Sequence, residues 1–205
     1  MDFRQFETSV KRLPMFNLND IRKIDPGFHR PQLSYWQKKG LIKPIAGGYY
    51  ALVDRNINED FLFMAANKIY EPSYISLESA LAYHLVIPES VLGVTSISSR
   101  KTTYFDSNWG GFQYRSIKAY YLVGYQAVDA AADVKFKIAK IEKAVLDYLY
   151  LNPGIKRPED FESLRWNREQ LQSALNTELM RKYIKIFDKN ALRERVNILK
   201  EYLHA

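Results

Sequence analysis

The residue types that most often carry catalysis are few and scattered in this sequence. The chain has no cysteine, which excludes disulfides, thiolate metal ligands and a cysteine nucleophile together. Its three histidines, His29, His84 and His204, lie on separate segments without the i, i+4 spacing or the neighbouring carboxylates of a metal site. The glycines form no phosphate-binding loop before a predicted helix, and no serine lies in a G-x-S-x-G turn. We therefore predict a protein that is not an enzyme, with no catalytic residue, metal or cofactor.

One predicted helix, over residues 139–151, carries the charged side chains Glu142, Lys143 and Asp147, whose spacing decides whether they could act as an acid–base pair. Glu142 and Asp147 are five residues apart, about 140° around a helix, so they cannot act as a carboxylate pair on one face. Lys143 and Asp147 stand at i and i+4 and can form an ion pair. The apolar stripe of this helix is Ile141, Val145, Tyr148 and Leu149. These patterns favour a structural role for the segment.

Contact with nucleic acid is the chemistry that residues 22–43 favour. This segment holds six Lys/Arg and one acid, Asp25. Arg and Gln side chains can pair with guanine and adenine edges, whereas Lys and Tyr more often contact phosphate. The predicted DNA-binding residues are Arg30, Gln32, Ser34, Tyr35, Gln37, Lys38, Lys39 and Lys43. The alternative is a helical hairpin with a solvated polar face and no DNA partner.

A winged helix-turn-helix over residues 17–53 would position those side chains. Asn17 or Asn19 can cap a first helix, which Asp25-Pro26-Gly27 ends. A second helix follows from Pro31 to Gly40. Its inward residues are predicted to be Leu33 and Trp36.

The remaining parts of this unit are a hairpin and an additional helix. Residues 41–45 and 49–52 are β-prone runs joined by Gly47-Gly48, which can adopt positive φ, so they are predicted to form the wing. An amphipathic helix over residues 2–13 would complete a three-helix core.

Charge is distributed unevenly along the 205 residues. The formal net charge is +7. Residues 1–57 contain ten Lys/Arg against five Asp/Glu, and residues 58–205 contain twenty against eighteen. The excess of +5 in the first part suits a polyanionic partner. With a polar joint at residues 54–58, this shift places a domain boundary between a DNA-binding domain, 1–57, and a second domain, 58–205.

The second domain is predicted to combine helices with a mostly antiparallel sheet, which makes the whole chain an α+β protein. A helix over 59–69 precedes a short extended piece at residue 73 and a helix for which Ser76 is the natural cap. Alternating, β-branched and aromatic runs then predict strands. The predicted strands are 91–99, 102–105, 112–118, 120–125 and 134–138. The predicted C-terminal elements are helices 139–151, 168–185 behind Asn167, and 191–203, with a turn at 158–164.

Two motifs make a family resemblance specific. Residues 72–84 read PSYISLESALAYH, and residues 139–147 read AKIEKAVLD. These two segments follow a basic winged helix, with a predicted sheet between them, and this arrangement resembles the AbiEi family of antitoxins. The resemblance implies a winged helix that represses its own operon by binding inverted repeats. It also implies a C-terminal domain that counters a nucleotidyltransferase toxin encoded beside it, in a toxin-antitoxin system of phage defence. One departure is Ala46-Gly47-Gly48, where the family pattern leads us to expect a basic residue before the glycine of the wing turn.

Two other functions stay open. One is an ordinary transcription regulator whose second domain binds a ligand or dimerises. The other is a protein that neutralises a toxin by direct contact without a role for DNA. A homodimer on DNA is also expected, in which the second domain supplies the dimer contact that lets two winged helices span an inverted repeat. The N-terminus lacks the apolar core of a signal peptide, and no run approaches the ~18 apolar residues of a membrane span, so we expect a cytoplasmic protein.

Overall fold

The computed structural model describes residues 1–88, 92–130, 134–175 and 177–204. The chain begins with three short helices and three short strands. The helices are α1 (Phe3–Val10), α2 (Leu18–Ile24) and α3 (Pro31–Lys38), and the strands are β1 (Phe16–Asn17), β2 (Ile42–Pro44) and β3 (Tyr49–Leu52). The strands form one antiparallel sheet in the order β1-β3-β2. Strand β1 was not predicted, because two residues are too few to show alternation.

Side-chain caps fix the starts of the first two helices. Asp2 accepts a bond from the Gln5 amide and Asn17 accepts bonds from the Asn19 and Asp20 amides, each within a reciprocal capping box. Asn17, not Asn19, is therefore the cap of α2. Helix α1 ends at Val10, three residues before the predicted end. Pro14 accounts for this, since a following proline disfavours the helical conformation at residue 13.

The following segment forms two helices and a central strand of a larger sheet. Helix α4 (Glu59–Ile69) is capped by Asn58, and β4 (Ser73–Ile75) follows a cis peptide bond before Pro72. Helix α5 (Leu77–Tyr83) comes next. The later strands are β5 (Val94–Ser98), β6 (Thr103–Phe105), β7 (Phe112–Ser116), β8 (Tyr125–Asp129) and β9 (Lys135–Ala139). Of the predicted first strand, residue 91 lies outside the described residues.

The six strands form one mixed sheet in the order β6-β7-β5-β4-β9-β8. Three neighbouring pairs are antiparallel, and two pairs, β5 with β7 and β4 with β9, are parallel. The α+β prediction is confirmed. The predicted strand at 120–125 is wrong. Residues Ala119–Tyr121 form a 3-10 turn, because the ring of Tyr121 is drawn inward to stack on Phe187 at 4.4 Å.

The C-terminal part of the chain is helical. They are α6 (Ile141–Leu151), α7 (Glu159–Glu162), α8 (Arg168–Leu175), α9 (Glu178–Phe187) and α10 (Asn190–His204). The single helix predicted over 168–185 is wrong, since α8 ends at Leu175 and α9 begins at Glu178. The Thr177 hydroxyl caps α9 by accepting a bond from the Met180 amide. Among the described residues, no helix has the length and apolarity that crossing a membrane requires.

Two hydrophobic cores organise these elements. The smaller core lies entirely within residues 6–52 and includes Phe6, Phe16, Leu33 and Trp36. The larger core is built mostly from residues 61–203. Three buried side chains of the first part also belong to the larger core, namely Met15, Ile45 and Ala51. The first 57 residues therefore pack directly against the rest of the chain.

Candidate nucleic-acid interface

Helix α3 is anchored by two side chains, as the sequence predicts. Leu33 is 2% exposed and Trp36 is 4% exposed. The Trp36 ring lies 4.4 Å from the ring of Phe6, 5.3 Å from that of Phe3 and 5.5 Å from that of Phe28, measured between centroids. Because these aromatic contacts come from α1 and from the α2–α3 connection, they fix both the depth and the rotation of α3.

The opposite side of α3 is polar, basic and open to solvent. We call this surface the α3 face, and its exposed predicted residues are Arg30, Ser34, Tyr35, Gln37, Lys38 and Lys39. Tyr35 is 57% exposed, and the Lys39 ammonium lies 5.7 Å from its ring centroid. Residues 30–39 contain no carboxylate, so nothing on the helix itself offsets its positive charge. Such a face can contact phosphates and base edges.

Two further predicted DNA-binding residues are engaged within the protein. The half-buried amide of Gln32 donates from Nε2 to the Met1 carbonyl over 3.2 Å. The half-buried Lys43 donates from Nζ to the Arg55 carbonyl over 2.7 Å. Arg55 in turn donates to the carbonyls of Lys11 and Leu13 over 3.0 and 3.3 Å. Gln32 and Lys43 thus already hold neighbouring backbone in place.

The turn between β2 and β3 lies against the second part of the chain. A Cβ built on Gly47 would lie 2.9 Å from Cγ2 of Ile69, in α4, and 3.8 Å from a ring carbon of Phe105, in β6. A Cβ on Gly48 would meet nothing within 4 Å. Ile45, just before the turn, is 2% exposed and belongs to the larger core. One side of the turn is therefore covered by protein.

A buried ion pair lies between α6 and β4, where the two motifs of the sequence meet. Lys143 and Asp147 are both 0% exposed, and Nζ of Lys143 donates to Oδ1 of Asp147. The hydroxyls of Tyr74 and Ser76 each donate to Oδ2 of Asp147 over 2.8 Å. Lys143 also donates to the Tyr74 oxygen over 2.7 Å. The i, i+4 pairing predicted from the sequence is confirmed.

The electrostatics of this cluster follow from its burial. Loss of water lowers the pKa of Lys143, and the neighbouring carboxylate of Asp147 opposes that effect. Burial raises the pKa of Tyr74 well above its ordinary value, and the nearby Asp147 charge acts in the same direction. Both hydroxyls and the ammonium point at one carboxylate, so the buried charge is well compensated. These bonds hold α6 on β4.

Ser76 is the N-cap residue of α5, as predicted, but its side chain makes no capping bond. Its hydroxyl is committed to Asp147. Thr95 on the neighbouring strand takes over, because its Oγ1 accepts from the Ser79 amide over 3.0 Å and donates to the Ser76 carbonyl over 2.8 Å. Ser79 Oγ in return accepts from the Thr95 amide over 2.8 Å. Sequence inspection missed Thr95, since a cap supplied from another strand leaves no local signal.

The remaining titratable candidates have ordinary structural partners. Nε2 of His84 lies 2.8 Å from the Ala139 carbonyl. Glu142 is 5% exposed and accepts a bond from the Thr177 hydroxyl over 2.9 Å. Within the described ranges, His, Asp and Glu side chains do not gather in groups of three that could hold a metal ion.

In comparisons with known proteins, no family model and no curated protein matches this chain. Membership of the AbiEi family stays a prediction that depends on the two motifs and the element order.

Proposed function

We propose that this protein is an antitoxin and transcriptional autorepressor of the cytoplasm. In this proposal, residues 17–53 act as a winged helix-turn-helix whose α3 face binds duplex DNA of its own promoter. A homodimer would place two copies of α3 on an inverted repeat. The second part of the chain would counter a nucleotidyltransferase toxin encoded beside it.

The α3 face is the observation that carries the DNA-binding half of the proposal. Leu33 and Trp36 hold the helix to its core, and the outward side presents Arg, Gln and Lys without a carboxylate. Arg30 and Gln37 are the side chains suited to base edges, and Lys38 and Lys39 are suited to phosphates. The helix lies between a preceding short helix and a following hairpin, which is the element order of a winged helix.

Duplex binding is tested by fluorescence anisotropy with labelled DNA from upstream of the gene. We expect affinity to fall steeply as salt rises, because each neutralised phosphate releases counterions. Lys38→Ala is expected to weaken all sequences alike, whereas Arg30→Ala relaxes sequence preference. Lys185→Ala, which removes the same charge from an exposed position on α9, is the matched control and should bind like the wild type. Absence of binding at low salt would contradict the proposal.

The antitoxin half is supported by the family resemblance. The two motifs, residues 72–84 and 139–147, are joined inside the second part of the chain by the bonds of Tyr74 and Ser76 to Asp147. A nucleotidyltransferase gene beside this one would favour the antitoxin over an ordinary regulator.

A rescue assay separates repression from neutralisation. Cells expressing the neighbouring toxin receive the full-length protein or its Arg30→Ala, Lys38→Ala variant from an unrelated promoter. We expect both to rescue growth, while only the wild type represses a promoter reporter. Loss of rescue in a variant that is folded and expressed at the wild-type level would mean that the α3 face is needed for protection, against the proposal.

A further inference from the structure

We propose that the turn between β2 and β3, residues 45–49, is a docking element that fastens the DNA-reading unit to the second part of the chain, and that it does not contact DNA. We call these residues the docking turn. The inference deepens the proposed function, since it takes α3 as the DNA-reading helix. In this inference, the contact of Gly47 with Ile69 and Phe105 holds α3 in position relative to the second part.

The composition of the docking turn argues against contact with phosphate. Its sequence is Ile45-Ala46-Gly47-Gly48-Tyr49, without a cation. Phosphate affinity in proteins comes mostly from Lys and Arg and depends on the release of counterions. The nearest cation on β2, Lys43, already donates to the Arg55 carbonyl. The docking turn therefore lacks the free positive charge that a wing needs to bind phosphate.

The packing of the docking turn shows what it contacts instead. Ile45 is buried in the larger core, and Ala46 and Tyr49 pack against that core from its edge. Gly47 lies so close to Ile69 that a Cβ at residue 47 would come within 2.9 Å of the Ile69 side chain. Glycine permits this approach and also supplies the positive φ of +59° that the turn needs.

The turn is closed by its own backbone and is linked tightly to α3. Ile45 donates to the Tyr49 carbonyl over 2.8 Å, and Tyr49 donates to the Ala46 carbonyl over 2.9 Å. Between α3 and β2, the Leu41 amide donates to the Trp36 carbonyl over 3.0 Å. Because so few residues separate α3 from β2, fixing the turn on Ile69 also fixes the direction of α3 relative to the second part.

An engineered disulfide tests the docking without DNA. The Cβ of residue 47 would lie 3.9 Å from the Cβ of Ile69, close to the ~3.8 Å typical of a disulfide. The natural chain has no cysteine, so the Gly47→Cys, Ile69→Cys variant has only one possible internal bridge. We expect this bridge to form on mild oxidation at low protein concentration, observed as a mass loss of two hydrogens and a mobility shift on non-reducing gels.

The matched control is Gly48→Cys, Ile69→Cys. Residue 48 also has positive φ, +82°, but its Cβ would meet nothing within 4 Å. The control therefore also places one of its two thiols at a positive-φ position, but without the contact. We expect it to stay reduced under the conditions that oxidise the first variant. Equal oxidation of both variants, or of neither, would overturn the docking.

DNA binding of the bridged protein tests the second half of the inference. If the docked turn belongs to the DNA-binding state, the oxidised 47–69 variant should bind promoter DNA within about two-fold of its reduced form, with the same salt dependence. Loss of binding on oxidation and recovery on reduction would show that the turn must leave Ile69 to bind DNA, and would overturn the inference. Failure of the wild type to bind DNA would instead overturn the proposed function, and the disulfide result would still decide whether the turn is docked.

Discussion

The phenol of Tyr74 donates a hydrogen bond to Oδ2 of Asp147 over 2.8 Å, although 73 positions separate the two residues. This bond joins β4 to α6 and takes part in compensating a carboxylate that has no exposure to water. Lys143 completes the arrangement by donating to both residues. Removing one partner of a buried ion pair leaves the other charge uncompensated, which makes the cluster a sensitive test of the fold.

We expect Asp147→Ala to destabilise the protein by roughly 3–5 kcal/mol, because it leaves the Lys143 ammonium buried without its partner. The double variant Lys143→Met, Asp147→Leu should lose much less, since it removes both charges and keeps most of the volume. Urea unfolding followed by circular dichroism measures both. A double variant that is less stable than Asp147→Ala would contradict this account of the cluster.

Stability at alkaline pH should report the buried tyrosines. Tyr114 is fully buried, donates to the Ala66 carbonyl over 2.7 Å, and has a pKa raised by burial well above its ordinary value. A group whose pKa is raised by folding binds its proton more tightly in the folded state, so stability falls as pH rises above the unfolded value of about 10. Each such tyrosine should cost about 1.4 kcal/mol per pH unit above that point.

The matched comparison is Tyr114→Phe against the wild type, with unfolding free energies measured between about pH 9 and pH 12. The variant should start less stable, because it lacks the bond to Ala66, and should then lose stability less steeply with pH. Tyr74 acts in the same direction as Tyr114, whereas the lowered pKa of Lys143 acts oppositely. Parallel curves for the two proteins would contradict the burial effect at Tyr114.

Trp36→Ala should destabilise the first part of the chain by roughly 3–5 kcal/mol, because it removes a buried ring that contacts three other aromatic residues. Trp36→Phe retains part of these contacts and should cost less. Thermal unfolding and promoter binding are both measured. A Trp36→Ala protein with the wild-type melting temperature and no DNA binding would place this side chain on the DNA.

Lys38 and Lys43 should differ in how they affect DNA binding. Lys38→Ala is expected to lower the slope of log affinity against log salt by about 1, because an exposed lysine of the α3 face loses one phosphate contact. Lys43→Ala should leave that slope unchanged and lower the melting temperature, since its ammonium is bonded to the Arg55 carbonyl. Anisotropy titrations at several salt concentrations make the comparison. Equal changes in slope would contradict the internal role of Lys43.

Several local features of this chain were determined by its sequence alone. Asn17 caps α2 because its side chain needs only the next three amides. Helix α4 begins after Asn58 and runs over the predicted 59–69 for the same reason. The inward positions of Leu33 and Trp36 and the i, i+4 pairing of Lys143 with Asp147 follow from helix geometry. Each signal lies within a few residues, where backbone geometry fixes which groups meet.

Only the tertiary structure decided which distant segments meet. The parallel pairs of the sheet, the Thr95 cap of α5 and the bonds of Tyr74 and Ser76 to Asp147 all depend on partners at least 16 positions away. The close approach of Gly47 to Ile69 and the bond of Lys43 to the Arg55 carbonyl likewise join residues that lie apart in the sequence. The sequence shows which kinds of hydrogen bond a polar side chain can make, and the packing decides which partner it finds. A buried polar group needs a hydrogen-bond partner, and that partner can only come from the residues that the fold places next to it.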